Sequence, residues 1–214
     1  MTRAELAVRL RLIVITDRDT AAPRSFVDLV SEALEAGAPA IQLRDKSASA
    51  RELYEVGNAL LPRIREAGAL FFVNDRIDVA LALDADGVHV GPNDLPVASL
   101  RAVVPRAFLI GASTDDPTEA ARLVEDGASY IGCGTVYPTA TKKDAGEVLG
   151  LDGLDRVARR VRAPVIGIGG VTPARSAEVA ATAAAGIAVV AAVMGATDVR
   201  GAVGALLAPW RLRA

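Results

Sequence analysis

One phrase recurs along the chain: the end of a helical pattern, a glycine, a small or β-branched residue, then a short apolar run. It stands at Glu35-Ala36-Gly37-Ala38, Glu66-Ala67-Gly68-Ala69, Glu125-Asp126-Gly127-Ala128 and Ala184-Ala185-Gly186-Ile187. Glycine at that point ends a helix in the left-handed conformation, and the chain turns straight into a strand. Regular alternation of this kind favours a parallel sheet with helices packed outside it. Apolar runs at 10–15, 40–43, 70–73, 87–90, 108–111, 130–133, 165–168 and 187–190 make eight strand–helix units in 214 residues. Eight units fit a minimal (β/α)8 TIM barrel, one domain over 1–214, better than a doubly wound sheet. No Gly-x-Gly-x-x-Gly follows the first run, which speaks against a dinucleotide fold.

Local signals support the count. Ser49 and Glu52 form a capping box for a helix running towards Ala67, which Pro62 is expected to kink or divide. Asp116-Pro117-Thr118-Glu119 opens another helix with cap, proline and acidic residue in place. Helices are also expected at 26–36, 77–83, 97–104, 151–161, 173–185 and 199–207. The stretch 134–149 after the sixth strand breaks the spacing and is the longest loop.

In Val165-Ile166-Gly167-Ile168-Gly169-Gly170-Val171-Thr172-Pro173 a buried strand meets two glycines and a helix start, with Thr172 as N-cap and Pro173 first in the helix. Such a turn directs unpaired N–H groups at whatever lies above the strand, which is how a phosphate is held without a cation.

Lys plus Arg is 24 against 26 for Asp plus Glu, so no basic surface is available for nucleic acid. The lone Cys133 leaves no internal disulfide and no cysteine metal site, and reads as a small core hydrophobe. The first residues show no secretory pattern, and the alanine-rich stretch 180–193 is too short to span a membrane, so a cytoplasmic protein is expected. Exposed apolar helix faces are compatible with a homodimer. The only lysines, Lys46, Lys142 and Lys143, all lie between elements.

In a barrel, the ends of the strands converge on one face. Gln42, Arg44 and Lys46 alternate along one strand end and should point to the same side while Leu43 faces the helices. Two cations in one rim call for an anion, or else for a ring of salt bridges. Asp75 and Asp94 supply carboxylates from neighbouring units, beside Asn74, and with a ligand phosphate they suit Mg²⁺. Taken singly, Asp75 is also a fitting N-cap for a helix at Arg76, and Asp94 an ordinary loop residue. His89, the one histidine, reads as a filled hydrogen-bonding position rather than an acid or base. Thr135, Thr139 and Thr141 place hydroxyls beside Lys142 in the long loop, which can close over a ligand. Two anion sites on one face imply one doubly phosphorylated substrate or two phosphorylated substrates being joined.

Over essentially its full length the chain resembles the thiamine phosphate synthase family. The resemblance lies in Gln42-Leu43-Arg44-Asp45-Lys46, Phe72-Val73-Asn74-Asp75, Gly87-Val88-His89-Val90-Gly91 with Asp94, Pro138-Thr139-Ala140-Thr141-Lys142 and Gly167-Ile168-Gly169-Gly170. It implies joining of a hydroxymethylpyrimidine diphosphate to a thiazole phosphate with release of pyrophosphate. It further implies Asp75 and Asp94 as Mg²⁺ ligands, with Arg44, Lys46, Asn74 and Lys142 on the diphosphate and Gln42 and Ser113 near the pyrimidine. Of these, Arg44, Lys46 and Lys142 would be the catalytic cations. Thr139, Thr141, Gly170 and the backbone at Val190 and Ala191 would hold the thiazole phosphate. Ala191 stands where the family usually has serine, and Pro92 where it has glutamine.

Other readings of the residues are a thiazole tautomerase on the same barrel, a Schiff-base aldolase using Lys142 or Lys46, and a non-catalytic phosphate-ligand barrel. The retained set Arg44, Lys46, Asn74, Asp75 and Asp94 favours the synthase over the tautomerase, which needs no diphosphate–metal site.

Overall fold

The structure, a computed structural model, describes residues 1–139 and 147–211. Eight parallel strands close in chain order, each paired with the next and the last with the first. They are β1 (Leu12–Ile15), β2 (Ala40–Leu43), β3 (Leu70–Asn74), β4 (Gly87–Val90), β5 (Leu109–Ser113), β6 (Tyr130–Cys133), β7 (Val165–Ile168) and β8 (Gly186–Val189). Around them run α1 (Arg3–Arg9), α2 (Arg18–Ala21), α3 (Phe26–Glu35), α4 (Ala50–Glu66), α5 (Ile77–Ala82) and α6 (Val97–Val103). The ring continues with α7 (Pro117–Glu125), α8 (Gly150–Arg160), α9 (Ser176–Ala180), α10 (Ala191–Met194) and α11 (Val199–Arg211). The barrel expected from eight apolar runs is the fold observed, and none of the described helices is long and apolar enough to cross a membrane.

Alternation along the strands separates two cores. Leu12, Val14, Ile41, Leu43, Phe71, Val73, Ile131 and Cys133 face the helices. Ile13, Ile15, Leu70, Phe72, Leu109, Tyr130, Ile166 and Ala188 fill the barrel, joined by Leu6 and Leu10. Leu6 and Leu10 come from α1 and its C-cap, so this helix plugs one end of the barrel. Burying each leucine contributes roughly 1.5–3 kcal/mol. The plug was not expected from sequence: Leu10 belongs to the helix cap and not to the first strand.

The recurrent glycine phrase is a helix stop at three of its four places. Gly37, Gly68 and Gly127 have φ of 92°, 63° and 107°. Behind them the amides of Ala38, Ala69 and Ala128 reach back to Ala33, Ile64 and Leu123 at 2.9–3.1 Å, a Schellman closure each time. Asp84, at φ 49°, closes α5 in the same way through Ala85 to Ala80 without a glycine. The fourth phrase differs. Gly186 is the first residue of β8, where a Cβ would strike the Leu10 carbonyl, and α9 has already ended at Ala180.

Other expectations are adjusted locally. The helix foreseen at 173–185 is a 3-10 turn, Pro173–Arg175, followed by the short α9, and Thr172 caps it by position without a side-chain hydrogen bond. Pro62 does not divide α4, which runs unbroken from its Ser49–Glu52 capping box to Glu66. At α7, Asp116 accepts from the Glu119 amide at 2.7 Å, but the Glu119 carboxylate holds Arg122 instead of reaching back to the cap.

Candidate active site

The strand C-termini and following loops enclose an open cavity of about 650 Å³, a size suited to small-molecule ligands. Gln42, Arg44 and Lys46 all line it, while Leu43 is buried against the helices, as the pleat requires. Arg44 is not left without a counter-ion: its Nη1 donates to Asp17 Oδ2 at 3.2 Å. Asp17 also caps α2, and Thr16 Oγ1 exchanges hydrogen bonds with the Arg44 backbone at 2.8 and 2.9 Å. The salt-bridge alternative therefore holds in part, at Arg44. Among the described residues Lys46 has no ion-pair partner.

Asp75 and Asp94 lie together, their carboxyl groups within hydrogen-bonding reach of each other. Burial, then Asp94, pushes the Asp75 carboxyl up to about 6, against the pull of Lys46 and Arg44. Asp75 adopts φ 61°, a conformation unusual for a residue with a side chain, held by its amide donating to the His89 carbonyl at 2.8 Å. It is not a helix cap: Arg76 occupies that position on α5. Asp94 Oδ2 accepts from the Gly91 amide at 2.7 Å, which orients the carboxylate towards the cavity rim. No third His, Cys, Asp or Glu joins them among the described residues. Asn74, the last residue of β3, lines the same side.

Diametrically across the barrel, Gly169 and Gly170 turn at φ 95° and 64°. Space as well as backbone conformation demands glycine here: a Cβ on Gly170 would stand 2.7 Å from the carbonyls of Tyr137 and Pro138. The start of the long loop packs over this turn, its Val136 and Tyr137 amides bonding to the Ile168 and Gly169 carbonyls at 2.9 and 3.0 Å. The amides of Gly170, Val171, Ala191 and Ala192 meet no acceptor among the described residues. Thr139, Val190 and Ala191 line the cavity beside them. Sequence reasoning missed one cation here. Arg175 lines the same wall, donates to the Gly170 carbonyl at 2.9 Å and lies 4.5 Å from the Tyr137 ring centre. Nothing in the helical pattern after Pro173 marked Arg175 as inward-facing. Thr141 and Lys142 lie outside the described residues.

Between the two walls, His89 bonds through Nδ1 to the Tyr130 hydroxyl at 3.0 Å and through Nε2 to Ser113 Oγ at 2.8 Å. Burial brings the ring down to about 4, with Asp94 opposing, so the imidazole is neutral. That agrees with a filled hydrogen-bonding position. Cys133 is fully buried, its thiol pushed up to about 12 by burial and then by Asp115, as befits a core residue.

Residues 12–193 match the family model described as thiamine monophosphate synthase. The chain belongs to that family. It is 50% identical over 192 residues, 90% of each chain, to the thiamine-phosphate synthase of Pyrococcus furiosus. It is 49% identical over 193 residues to that of Roseiflexus castenholzii, covering 90% of this chain and 85% of the relative. Among solved structures, a thiamine phosphate pyrophosphorylase from Pyrococcus furiosus superposes with a TM-score of 0.89 at 47% identity, covering 96% of this chain and 98% of the other. Family membership makes the chain an enzyme, a transferase, and bears out the expected class.

Proposed function

We propose that this cavity joins a hydroxymethylpyrimidine diphosphate to a thiazole phosphate, forming thiamine phosphate and releasing pyrophosphate. The observation that carries the reading is the polarity of one mouth. A carboxylate pair flanked by Arg44, Lys46 and Asn74 stands on the β2–β4 side, opposite Arg175 and amides that meet no acceptor among the described residues on the β7–β8 side.

The donor set fits Mg²⁺. Two hard carboxylate oxygens forced together favour a divalent cation over a shared proton, and two protein carboxylates suit an ion that keeps waters or phosphate oxygens. Bound at Asp75 and Asp94, Mg²⁺ would supply charge stabilisation for the departing diphosphate. The rest of the work falls to the chain. Arg44, Lys46 and Asn74, with Lys142, bind the diphosphate oxygens and stabilise the charge that builds on them as the bond breaks. Gln42 and Ser113 hold the pyrimidine, whose electron-rich ring supports positive charge at the methylene carbon. The amides around Gly170, Val190 and Ala191, with Thr139 and Thr141, hold the thiazole phosphate so that its ring nitrogen faces that carbon.

The substitution is dissociative: the C–O bond breaks first, its electron pair leaving with pyrophosphate, and the lone pair of the thiazole nitrogen then forms the C–N bond to the cationic methylene carbon. The attacking nitrogen carries no proton, so no general base is required, in keeping with a neutral His89. Catalysis is then positioning and electrostatics.

Incubating the protein with both substrates, with and without Mg²⁺, while following pyrophosphate and thiamine phosphate tests the reading. Stoichiometric appearance of both, dependent on Mg²⁺, is expected. Isomerisation of a thiazole carboxylate phosphate without pyrophosphate release would establish the tautomerase instead.

A further inference from the structure

Tyr137 and Arg175 hold each other in place beside the Gly169–Gly170 turn. The Tyr137 amide donates to the Gly169 carbonyl at 3.0 Å, and the Tyr137 hydroxyl donates to Glu178 Oε2 at 2.8 Å. Arg175 lies with its guanidinium carbon 4.5 Å from the centre of the Tyr137 ring, and its Nη1 donates to the Gly170 carbonyl at 2.9 Å. These contacts close a circuit from the turn to the long loop, on to the 3-10 helix and α9, and back to the turn.

The circuit leaves a positive charge oriented but not cancelled. Glu178 stands three residues beyond Arg175, a spacing at which helical residues form ion pairs. Here the carboxylate is taken by the Tyr137 hydroxyl, and among the described residues no carboxylate pairs with Arg175. The guanidinium is held by a π face and a carbonyl instead. A trans peptide sets its C=O and the following N–H on opposite sides. The Tyr137 amide thus fixes the Gly169–Gly170 peptide, and Arg175 fixes the Gly170–Val171 peptide, each through its carbonyl. The N–H groups of those two peptides, on Gly170 and Val171, are among the amides that meet no acceptor in the described residues.

We propose that Arg175 is a specificity-determining residue that makes this wall select a phosphate monoester over the corresponding alcohol, and that Tyr137 is the residue that positions it. The thiazole phosphate as ligand rests on the functional reading above, whereas the orientation of Arg175 rests on contacts within the protein. Backbone N–H groups donate to a hydroxyl oxygen as well as to a phosphate oxygen. A full positive charge on the cavity wall separates the two ligands by their charge. Because the guanidinium is stacked before ligand arrives, little of its side-chain freedom remains to be lost on binding.

Selectivity is read by comparing kcat/KM for the thiazole phosphate with kcat/KM for the unphosphorylated thiazole alcohol in the full-length protein. Arg175→Gln keeps a donor for the Gly170 carbonyl and removes the charge. It should lower the preference for the phosphate about tenfold, through KM for the thiazole phosphate, with KM for the pyrimidine diphosphate unchanged. Tyr137→Phe frees the Glu178 carboxylate to pair with Arg175 and should lower the preference about threefold. Adding Glu178→Gln to Tyr137→Phe should restore it.

Tyr137→Leu, which removes the ring, should cost nothing further in the Arg175→Gln background, since both act through the same guanidinium. An unchanged preference in Arg175→Gln, equal losses for phosphate and alcohol, or a Tyr137→Phe defect that Glu178→Gln does not repair would overturn the assignment. So would losses from Tyr137→Leu and Arg175→Gln that add in full. Calorimetric titration of the thiazole phosphate alone into the wild type and Arg175→Gln separates this inference from the substrate reading. Weaker binding by the variant supports the assignment even where no thiamine phosphate forms. Equal binding removes it, while turnover of both substrates by the wild type still decides the reaction.

Discussion

Asp75 and Asp94 present their carboxyl groups to each other from the consecutive loops after β3 and β4, close enough for one to hold a proton against the other. The arrangement is unfavourable by itself, and Asp75 bears it in a left-handed backbone conformation. A pair maintained under those conditions fits the proposed Mg²⁺ site.

The raised Asp75 pKa has a definite sign. The native carboxyl keeps its proton up to about pH 6, whereas in the unfolded chain it is released near pH 4. Between these values the native state binds more protons, so the metal-free protein loses stability as pH rises through that window. With solvent screening of a half-exposed group, the loss is about 1 kcal/mol. Asp75→Asn should recover it at about pH 8 and change little at about pH 4. Mg²⁺ should stabilise the wild type at the higher pH and leave the variant unmoved. Urea unfolding at both pH values checks this, and equal effects of the substitution at the two would contradict it.

Arg44 and Asp17 separate charge from support. Arg44→Ala should lower kcat/KM for the diphosphate substrate by about a hundredfold or more, since a charge aimed at the leaving group is lost. Arg44→Lys should rescue poorly, because the guanidinium fork spans Asp17 and an anion together. Asp17→Asn keeps the cation and should reduce the rate only a few-fold. Pyrophosphate release measures all three.

On the opposite wall, Arg175→Ala should raise KM for the thiazole phosphate about tenfold by removing a charged donor beside the phosphate turn. Ala191→Ser should lower it by adding a hydroxyl to the same wall. Neither should move KM for the pyrimidine diphosphate. A change in that second constant would show that the two walls do not act separately.

Gly170→Ala places a Cβ against the carbonyls of Tyr137 and Pro138 at φ 64°. Strain of about 1–3 kcal/mol is expected, and relief by shifting the turn would weaken thiazole phosphate binding. A lower midpoint of thermal unfolding together with a raised KM for that substrate alone is the expected outcome.

Lys142→Ala should lower turnover by about two orders of magnitude or more with both substrates saturating, while the circular dichroism spectrum is retained. A wild-type rate would take Lys142 out of the mechanism.

Much of the site could be read before the fold was seen. Gln42, Arg44 and Lys46 share a side because a strand alternates, and Gly169-Gly170 marks a turn because other residues resist that backbone. Asp75 was ambiguous for the same reason that made it legible: an aspartate just before a helical pattern looks like a cap, and only its placement against Asp94 shows otherwise. Arg175 was not legible. Its inward direction depends on a 3-10 turn and on Tyr137 from another loop, and local periodicity records neither.

The sequence by itself determined the eight strand–helix units, the helix stops at Gly37, Gly68 and Gly127, and the presence of polar side chains at strand ends, because each depends on neighbours a few residues apart. Only the tertiary structure decided that α1 plugs the barrel, that Asp17 partners Arg44, and that Tyr130 and Ser113 meet on the two nitrogens of His89. Those contacts join residues from different strands and loops. Closure of the barrel sets their distances, and no property of the separate segments contains that geometry.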